Sequence, residues 1–245
     1  MYKEFLLFLF ICSGLISNSY TADYEKGLAA ARSGDFLKAI KEWKPLAEEG
    51  DARVQYSLAL VYTKLGTTEV DDNTNLTAKE QALNWYLLAA EQGVIMAQYD
   101  LAVMYHTGRG AVQDYKKAIK WYKEASIKGY SMARGNLGLM YIYGTGVKKN
   151  YKEGFKWLRF AAEGGNSIAQ EKLGELYYEG EGIKKNKFFS HIWLNIAVHQ
   201  GLKLEMGNED KLMKNMSVTE IEKVEELTRQ YFFRLKLFYL RQDFT

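Results

Sequence analysis

Residues 97–110 read A-Q-Y-D-L-A-V-M-Y-H-T-G-R-G, and the same pattern returns over residues 133–146 and 169–182. The copies share an alanine, a leucine four residues later, a tyrosine four residues after that, and a Gly-x-Gly ending. The step between copies is 36 residues. A fixed step of about 20 to 50 residues is typical of stacked supersecondary units. The sequence therefore predicts a repeat protein.

Each repeat predicts a hairpin of two helices. The first, helix A, carries the alanine, leucine and tyrosine on one stripe. It ends at the Gly-x-Gly, because glycine accepts the left-handed backbone conformation at a helix end without steric cost. The second, helix B, begins at the candidate capping residue Asp114, Asn150 or Asn186 and ends at a further glycine.

Aromatic residues and glycines that recur in the same register are assigned to packing and helix ends. The tryptophans fill gaps between helices, and we expect truncation of Trp157 to alanine to cost about 3–5 kcal/mol. The residues with this structural assignment are Trp85, Trp121, Trp157, Trp193, Tyr105, Tyr141, Tyr177, Gly108, Gly144 and Gly180.

The motif A-x-x-x-L-[AG]-x-x-Y-x-x-G-x-G, followed by W-[YL]-x-x-A, resembles the Sel-one-like (SLR) repeat family. The resemblance implies an all-α fold, a right-handed solenoid of helical hairpins related to the tetratricopeptide superhelix. It predicts four repeats, over residues 51–93, 94–129, 130–165 and 166–201.

The first repeat departs from the motif. Val54 replaces the alanine, Leu65-Gly66 replaces Gly-x-Gly, and extra polar residues lie between Thr67 and Thr77. We interpret this insertion as a surface loop. A metal role for Asp71 and Asp72 is the alternative, although the segment lacks the ligand spacing of a calcium loop.

Both ends of the array are predicted to be helical caps. Residues 23–50 predict a hairpin whose second helix is kinked at Pro45. Residues 202–245 predict C-terminal capping helices, the last of which begins at the capping box of Ser217 and Glu220. The aromatic, mildly basic tail over 231–240 is expected to pack on the last repeat, while contact with a membrane or a partner stays open.

Residues 1–22 have the pattern of a secretory signal peptide, with Lys3 before an apolar run and a small polar stretch. Cys12, the sole cysteine, lies in that run, so the mature chain is expected to contain no disulfide. We therefore expect a bacterial protein that is periplasmic or secreted. An uncleaved membrane anchor is the alternative.

Charge and motifs argue against several functions. The formal net charge is +3, which gives no case for nucleic acid as the partner. His106, His191 and His199 lack accompanying ligands at metal-binding spacing, so neither a metal nor a cofactor is expected. No catalytic motif is present, and the sequence predicts a protein that is not an enzyme.

The face of helix A opposite the recurrent stripe is the predicted partner-binding site, because helix A generally lines the concave surface of a repeat solenoid. The alternative is that this face packs against the neighbouring helix A. The candidate residues are Met96, Tyr99, Val103, Met132, Asn136, Leu139, Ile142, Tyr143, Glu171 and Glu175.

These features predict an exported, monomeric scaffold or adaptor that binds another protein. A membrane-associated tether that uses the aromatic tail is one alternative. The resemblance implies a second, because cysteine-rich relatives in this family have been associated with binding or hydrolysing β-lactams. Those relatives have a disulfide in each repeat. This chain lacks those cysteines and also the Ser-x-x-Lys motif of a serine nucleophile.

Overall fold

The computed structural model describes residues 21–66, 77–201 and 217–242, and these residues form eleven helices. Within the two units the predicted hairpins of the first, third and fourth repeats are formed, by helices Ala52–Leu65 with Ala78–Glu91, Ser131–Tyr143 with Tyr151–Glu163, and Ser167–Glu179 with Lys187–His199. The all-α repeat solenoid is confirmed. The helices are α1 over 21–32, α2 Phe36–Glu48, α3 Ala52–Leu65, α4 Ala78–Glu91, α5 Ile95–Thr107, α6 Tyr115–Ile127, α7 Ser131–Tyr143, α8 Tyr151–Glu163, α9 Ser167–Glu179, α10 Lys187–His199 and α11 Val218–Gln242.

The chain divides into two compact units, Met1–Gln113 and Asp114–Thr245. Unit 1 contains α1 to α5, in which α3 packs on α2 and α4, and α4 packs on α5. Unit 2 contains α6 to α11, in which each helix from α6 to α10 packs on the next and α11 packs on α10. The boundary falls between helix A and helix B of one repeat.

Helix boundaries fall where the repeat motif places them. Helix A ends before Gly108, Gly144 or Gly180, and each of these glycines is left-handed with φ between 72° and 79°. The helices B begin at Asp114, Asn150 and Asn186, whose side chains accept hydrogen bonds from backbone N–H groups of the first turn. The predicted caps are therefore confirmed, because they satisfy backbone groups that a helix end leaves unpaired.

The two helices of the third repeat approach closely at a pair of glycines. A Cβ added to Gly138 on α7 would lie 2.7 Å from Leu158 Cγ and 3.1 Å from the carbonyl oxygen of Gly154 on α8. No L-residue with a side chain fits this space without displacing the helices. Small residues at this position of the repeat thus set the separation within the hairpin.

A recurring side-chain hydrogen bond connects each hairpin to the next. The donor is the side chain of the residue that follows Val54 or the equivalent alanine of helix A. It donates to a carbonyl oxygen near the end of the preceding helix, at 3.0–3.1 Å. The donors are Gln55, Gln98, Arg134 and Gln170, and the acceptors are Ala47, Ala90, Ser126 and Ala162. Each of these carbonyl oxygens also accepts a hydrogen bond from the backbone N–H of the glycine that follows helix B, so the side chain adds a second bond, which joins the two hairpins.

Burial of the recurrent tryptophans is uneven. Trp85, Trp121 and Trp193 are buried. Trp157 is only partly buried and contacts Phe160 edge to face, whereas its neighbour Leu158 is fully buried. The expected cost of about 3–5 kcal/mol for truncation of Trp157 is the range for large buried aromatic groups, and here the buried residue that faces α7 is Leu158. Truncation of Trp157 should therefore cost less than the full value for a core aromatic.

The remaining structural aromatics also differ in burial. Tyr105 is buried, while Tyr141 and Tyr177 are half-buried. Tyr177 contacts Phe155 edge to face, at a centroid distance of 5.5 Å. Tyr105 therefore lies in the core, whereas Tyr141 and Tyr177 lie at its margin.

The described parts of both ends are helical. The helix α2 continues through Pro45, and Trp43 Nε1 on this helix donates to the carbonyl oxygen of Tyr24 at 3.0 Å. The predicted start of α11 is confirmed, because Ser217 and Glu220 form the reciprocal bonds of a capping box. Val224 of α11 is fully buried, so this part of the helix closes the core of unit 2.

Three predictions fall wholly or partly on residues outside the described ranges. They are the signal peptide, of which 21–22 alone is described, the insertion over 67–76, and the packing of the tail over 231–240, whose backbone is helical but whose side chains are described only at Tyr231 and Phe233. Within residues 21–66, 77–201 and 217–242, no helix combines the length and the apolar character that crossing a bilayer requires.

Candidate partner-binding site

The predicted face of helix A is largely accessible in both units. Met96 is 42% exposed, Met132 is 45% exposed and Tyr143 is 62% exposed. The partly exposed members are Tyr99, Val103, Asn136, Leu139, Glu171 and Glu175. Ile168 occupies the same repeat position as Met96 and Met132 and is also exposed, although it was not among the predicted residues.

One candidate residue does not belong to this face. Ile142 is 2% exposed and lies in the core of unit 2 with Leu158 and Leu173. Its assignment to a partner-binding site is wrong, because its position on α7 turns it toward Gly154 of α8. Leu139 is also packed against this core, so a substitution there would perturb stability as well as the surface.

In unit 2 the accessible face forms a charged and aromatic surface, which we call the unit 2 patch: Met132, Leu139, Tyr143, Lys172 and Glu175. Lys172 Nζ lies 2.7 Å from Glu175 Oε2 and 5.2 Å from the centroid of the Tyr143 ring. Burial lowers the pKa of Lys172, but hydrogen bonds to Glu175 and Tyr143 outweigh this effect and hold the pKa above its ordinary value. The cation is therefore satisfied within the patch.

In unit 1 the corresponding face forms a cavity of about 450 Å³ between α3, α4 and α5, which we call the unit 1 groove. Its apolar walls include Leu60 of α3, Ala82 of α4, and Val103 and Met104 of α5. This volume lies in the range of about 300–1,000 Å³ that is typical of ligand-binding sites. The groove is therefore large enough to receive side chains of another molecule.

A carboxylate and hydroxyl groups give the groove its polar character. Tyr56 donates its hydroxyl hydrogen to Asp100 Oδ2 at 3.0 Å, and Thr63 Oγ1 lies 3.4 Å from the hydroxyl of Tyr86. Burial raises the pKa of Asp100, and the bond from Tyr56 offsets this only in part. Burial also raises the pKa of Tyr86 to about 12. The groove thus holds a partly desolvated acid and a neutral phenol.

Exposed cations line the same groove as this acid. Lys64 of α3, Lys79 of α4 and Arg109, just after α5, line the groove and are exposed. None of the three forms an ion pair with a carboxylate in the part of the chain that the structure describes. The groove therefore combines an acidic interior with a basic rim.

Unit 2 contains a second cavity of about 630 Å³, lined by residues of α8, α10 and α11 and by Tyr177 of α9. Trp193 and Tyr231 meet edge to face in its wall, at a centroid distance of 5.2 Å. Its charged residues, Arg159 and Glu163, lie 3.5 Å apart and neutralise each other. This cavity is larger than the unit 1 groove, but its charges are already paired.

Asp100, Tyr56 and Tyr86 were not predicted from the sequence. Asp100 occupies the repeat position just before the recurrent leucine, where the other repeats have Ser57, Asn136 and Lys172. This position changes its chemistry in every repeat, while the leucine that follows it stays constant. A variable position beside a constant leucine was the sequence signal that could have identified Asp100.

Potential metal ligands do not cluster in the part of the chain that the structure describes. Among residues 21–66, 77–201 and 217–242, no three histidine, cysteine, aspartate or glutamate side chains lie together as metal ligands. The alternative that Asp71 and Asp72 bind metal falls outside these residues. The site offers apolar contact, hydrogen bonding and charge, which are the means of recognising a peptide segment.

Comparison with known families gives a match to the model of the Sel1 repeat. The matched residues are 77–94, 95–130, 131–166 and 167–202. An F-box protein of Arabidopsis thaliana is 32% identical over 96 residues, which are 39% of this chain and 25% of the plant protein. The chain thus spans about a quarter of that relative's length.

Solved structures similar to this chain include two bacterial proteins. A protective antigen present in uropathogenic Escherichia coli strains, which displays an SLR fold, is 38% identical with a TM-score of 0.60, over 66% of this chain and 33% of the antigen. A Sel1 repeat protein from Oxalobacter formigenes is 28% identical with a TM-score of 0.63, over 73% of this chain and 71% of that protein. The chain covers a third of the antigen and most of the second protein.

Proposed function

Because the chain belongs to the Sel1 repeat family, we propose that it is a non-enzymatic scaffold that holds a partner protein on its helix A face. Sel1 repeat proteins generally mediate protein–protein interactions and are typically not catalytic. The observation that carries the proposal is the unit 1 groove, where Leu60 and Val103 from helices A of successive repeats form apolar walls around Asp100.

The unit 2 patch supports the same function as a second contact surface. Met132 and Tyr143 are exposed apolar and aromatic side chains on one helix, and Lys172 and Glu175 supply charge beside them. Tyrosine is enriched where proteins bind each other, because it offers a large apolar ring together with a hydroxyl group. We propose that the chain acts as a monomer with both surfaces available.

We also propose that the protein is exported to the periplasm or secreted. The signal-peptide pattern of residues 1–22 supports this. N-terminal sequencing of the protein from its native organism should show that the apolar run has been removed. Recovery of the intact N-terminus in the membrane fraction would favour the tether instead.

The experiment that tests the binding face compares two leucines in unit 1. Leu60 lies in the groove on helix A and is 40% exposed, whereas Leu88 lies on helix B outside the groove and is 43% exposed. A photo-crosslinking residue placed at each position in turn, in the full chain, should capture one protein in the native organism from position 60 and not from position 88.

The substitution Leu60→Ser should then reduce retention of that protein on a resin that carries the substituted chain, while Leu88→Ser should not. The two serines remove the same apolar group from sites of similar exposure, so a general loss of stability would affect both variants alike. Equal crosslinking from both positions would contradict the proposed face. Turnover of nitrocefin by the purified chain would contradict the non-enzymatic function.

A further inference from the structure

We infer that the unit 1 groove selects a partner segment in which one lysine or arginine reaches Asp100 and acidic residues flank that cation. This inference rests on the proposed function, since it assigns a chemistry to the segment that the groove holds. Three features of the groove support it: the interior acid, the basic rim and the apolar walls.

The interior acid lacks a cation from the described part of the chain. Asp100 accepts a hydrogen bond from Tyr56 and forms no ion pair with the described residues. A carboxylate removed from water is costly unless a charge or several hydrogen bonds compensate it. A lysine or arginine from a partner would supply the missing charge through a charge-assisted hydrogen bond. The groove is therefore complementary to a single cation.

The basic rim favours the opposite charge. Lys64, Lys79 and Arg109 come from three different elements and are exposed, so each can meet a carboxylate of the partner without burial of either group. A segment rich in lysine and arginine would be repelled by these three cations on its way to Asp100. An acidic residue on each side of the central cation would be attracted by them.

The apolar walls suit the stem of a long cationic side chain. Leu60, Val103 and Met104 line the groove, and lysine and arginine carry several methylene groups below their charged ends. These methylenes can pack on the walls while the charged end reaches Asp100. A phosphate or a polyanion is disfavoured, because the carboxylate inside the groove would repel it.

The test uses the purified full chain and four synthetic peptides with the core sequences E-L-K-L-E, K-L-E-L-K, K-L-K-L-K and Q-L-Q-L-Q. Dissociation constants are measured by isothermal titration calorimetry at low salt, because screening weakens exposed charge pairs. We expect E-L-K-L-E to bind at least about tenfold more tightly than each of the other three.

Two sets of variants test which residues of the groove cause the preference for the E-L-K-L-E peptide. Asp100→Asn should remove the advantage of the central lysine, and the repeat accommodates this residue, since Asn136 holds the same position in the next repeat. Asp100→Ser is a second variant, for which Ser57 of the first repeat is the precedent. The combined substitution of Lys64, Lys79 and Arg109 by glutamine should remove the preference for flanking acids and retain that for lysine.

Equal binding of the four peptides would overturn the inference, as would tightest binding of K-L-E-L-K or an unchanged preference in a folded Asp100 variant. Failure of all four to bind would overturn it too. None of these results bears on the crosslinking comparison of positions 60 and 88, which tests the proposed function separately. A positive crosslinking result with a negative peptide result would mean that the face is correct and the charge pattern wrong.

Discussion

Asp100 in unit 1 and Lys172 in unit 2 occupy the same position of the repeat and carry opposite charges. The two side chains differ in the partners that the described residues give them. Lys172 pairs with Glu175 and lies over Tyr143, so its charge is satisfied within the chain. Asp100 has a tyrosine hydroxyl and no cation among the described residues. The difference teaches that the scaffold fixes the backbone at this position and leaves its chemistry free to vary.

The largest effects should come from the leucine that follows each of these residues, because the scaffold depends on it in both units. Leu101 and Leu173 are both fully buried. We expect Leu101→Ala and Leu173→Ala each to lower the free energy of unfolding by about 2–5 kcal/mol. Urea denaturation followed by circular dichroism measures this, with the half-exposed Leu88→Ala as the control. A negligible effect of either core variant would show that the two positions do not share a scaffold.

Exchange of the two charges should cost less. Asp100→Lys places a cation inside a groove with a basic rim, and Lys172→Asp places a carboxylate beside Glu175. We expect each variant to lose about 1–3 kcal/mol of stability, the usual cost of an unpaired buried charge or polar group. Thermal and urea unfolding should show both losses. Tolerance of either substitution would mean that the neighbours do not discriminate between charges at this position.

Neutral substitutions should lower stability at Lys172 but not at Asp100. Lys172→Met deletes the ion pair and the contact with the Tyr143 ring, and we expect a loss of about 1 kcal/mol. Asp100→Asn keeps an acceptor for Tyr56 and should cost no stability. Urea denaturation at low and high salt provides the measurement, since salt should shrink the effect at Lys172. A loss at Asp100 equal to that at Lys172 would indicate a partner for Asp100 within the chain.

The smallest expected effect is the pH dependence of the stability difference between the native chain and Asp100→Asn. The folded-state pKa of Asp100 lies above its ordinary value of 3.8, because burial disfavours the ionised form. The folded chain therefore binds this proton more tightly than the unfolded chain, and stability declines as pH rises from 3.8 through the folded-state pKa. The neighbouring titratable or charged groups are Tyr56, Tyr86, Lys64, Lys79 and Arg109.

Asp100→Asn removes this decline, so the variant should match the native chain at about pH 3 and exceed its stability slightly at about pH 7. Unfolding measured at the two pH values tests the sign. An advantage of the native chain that appears only at the higher pH would show that the carboxylate is stabilised by ionisation, contrary to its burial.

The repeat period predicted the helices, their caps and their glycine ends, because these depend on local backbone chemistry. Asp114 can cap a helix and Gly108 can end one whatever lies around them. The candidate site was predicted less well. Ile142 was assigned to the surface but is buried, and Trp157 is less buried than the other recurrent tryptophans, because a helical stripe drawn from the sequence does not locate the neighbouring helices.

The sequence by itself determined the repeat, its family and its fold class, since a residue that recurs at a fixed step occupies the same local environment each time. The tertiary structure decided which variable positions meet. Tyr56 reaches Asp100 across 44 residues of sequence, whereas Lys172 finds Glu175 within its own helix. One charge is consequently satisfied by helical spacing, and the other depends on which helices pack together and on what partner they leave room for.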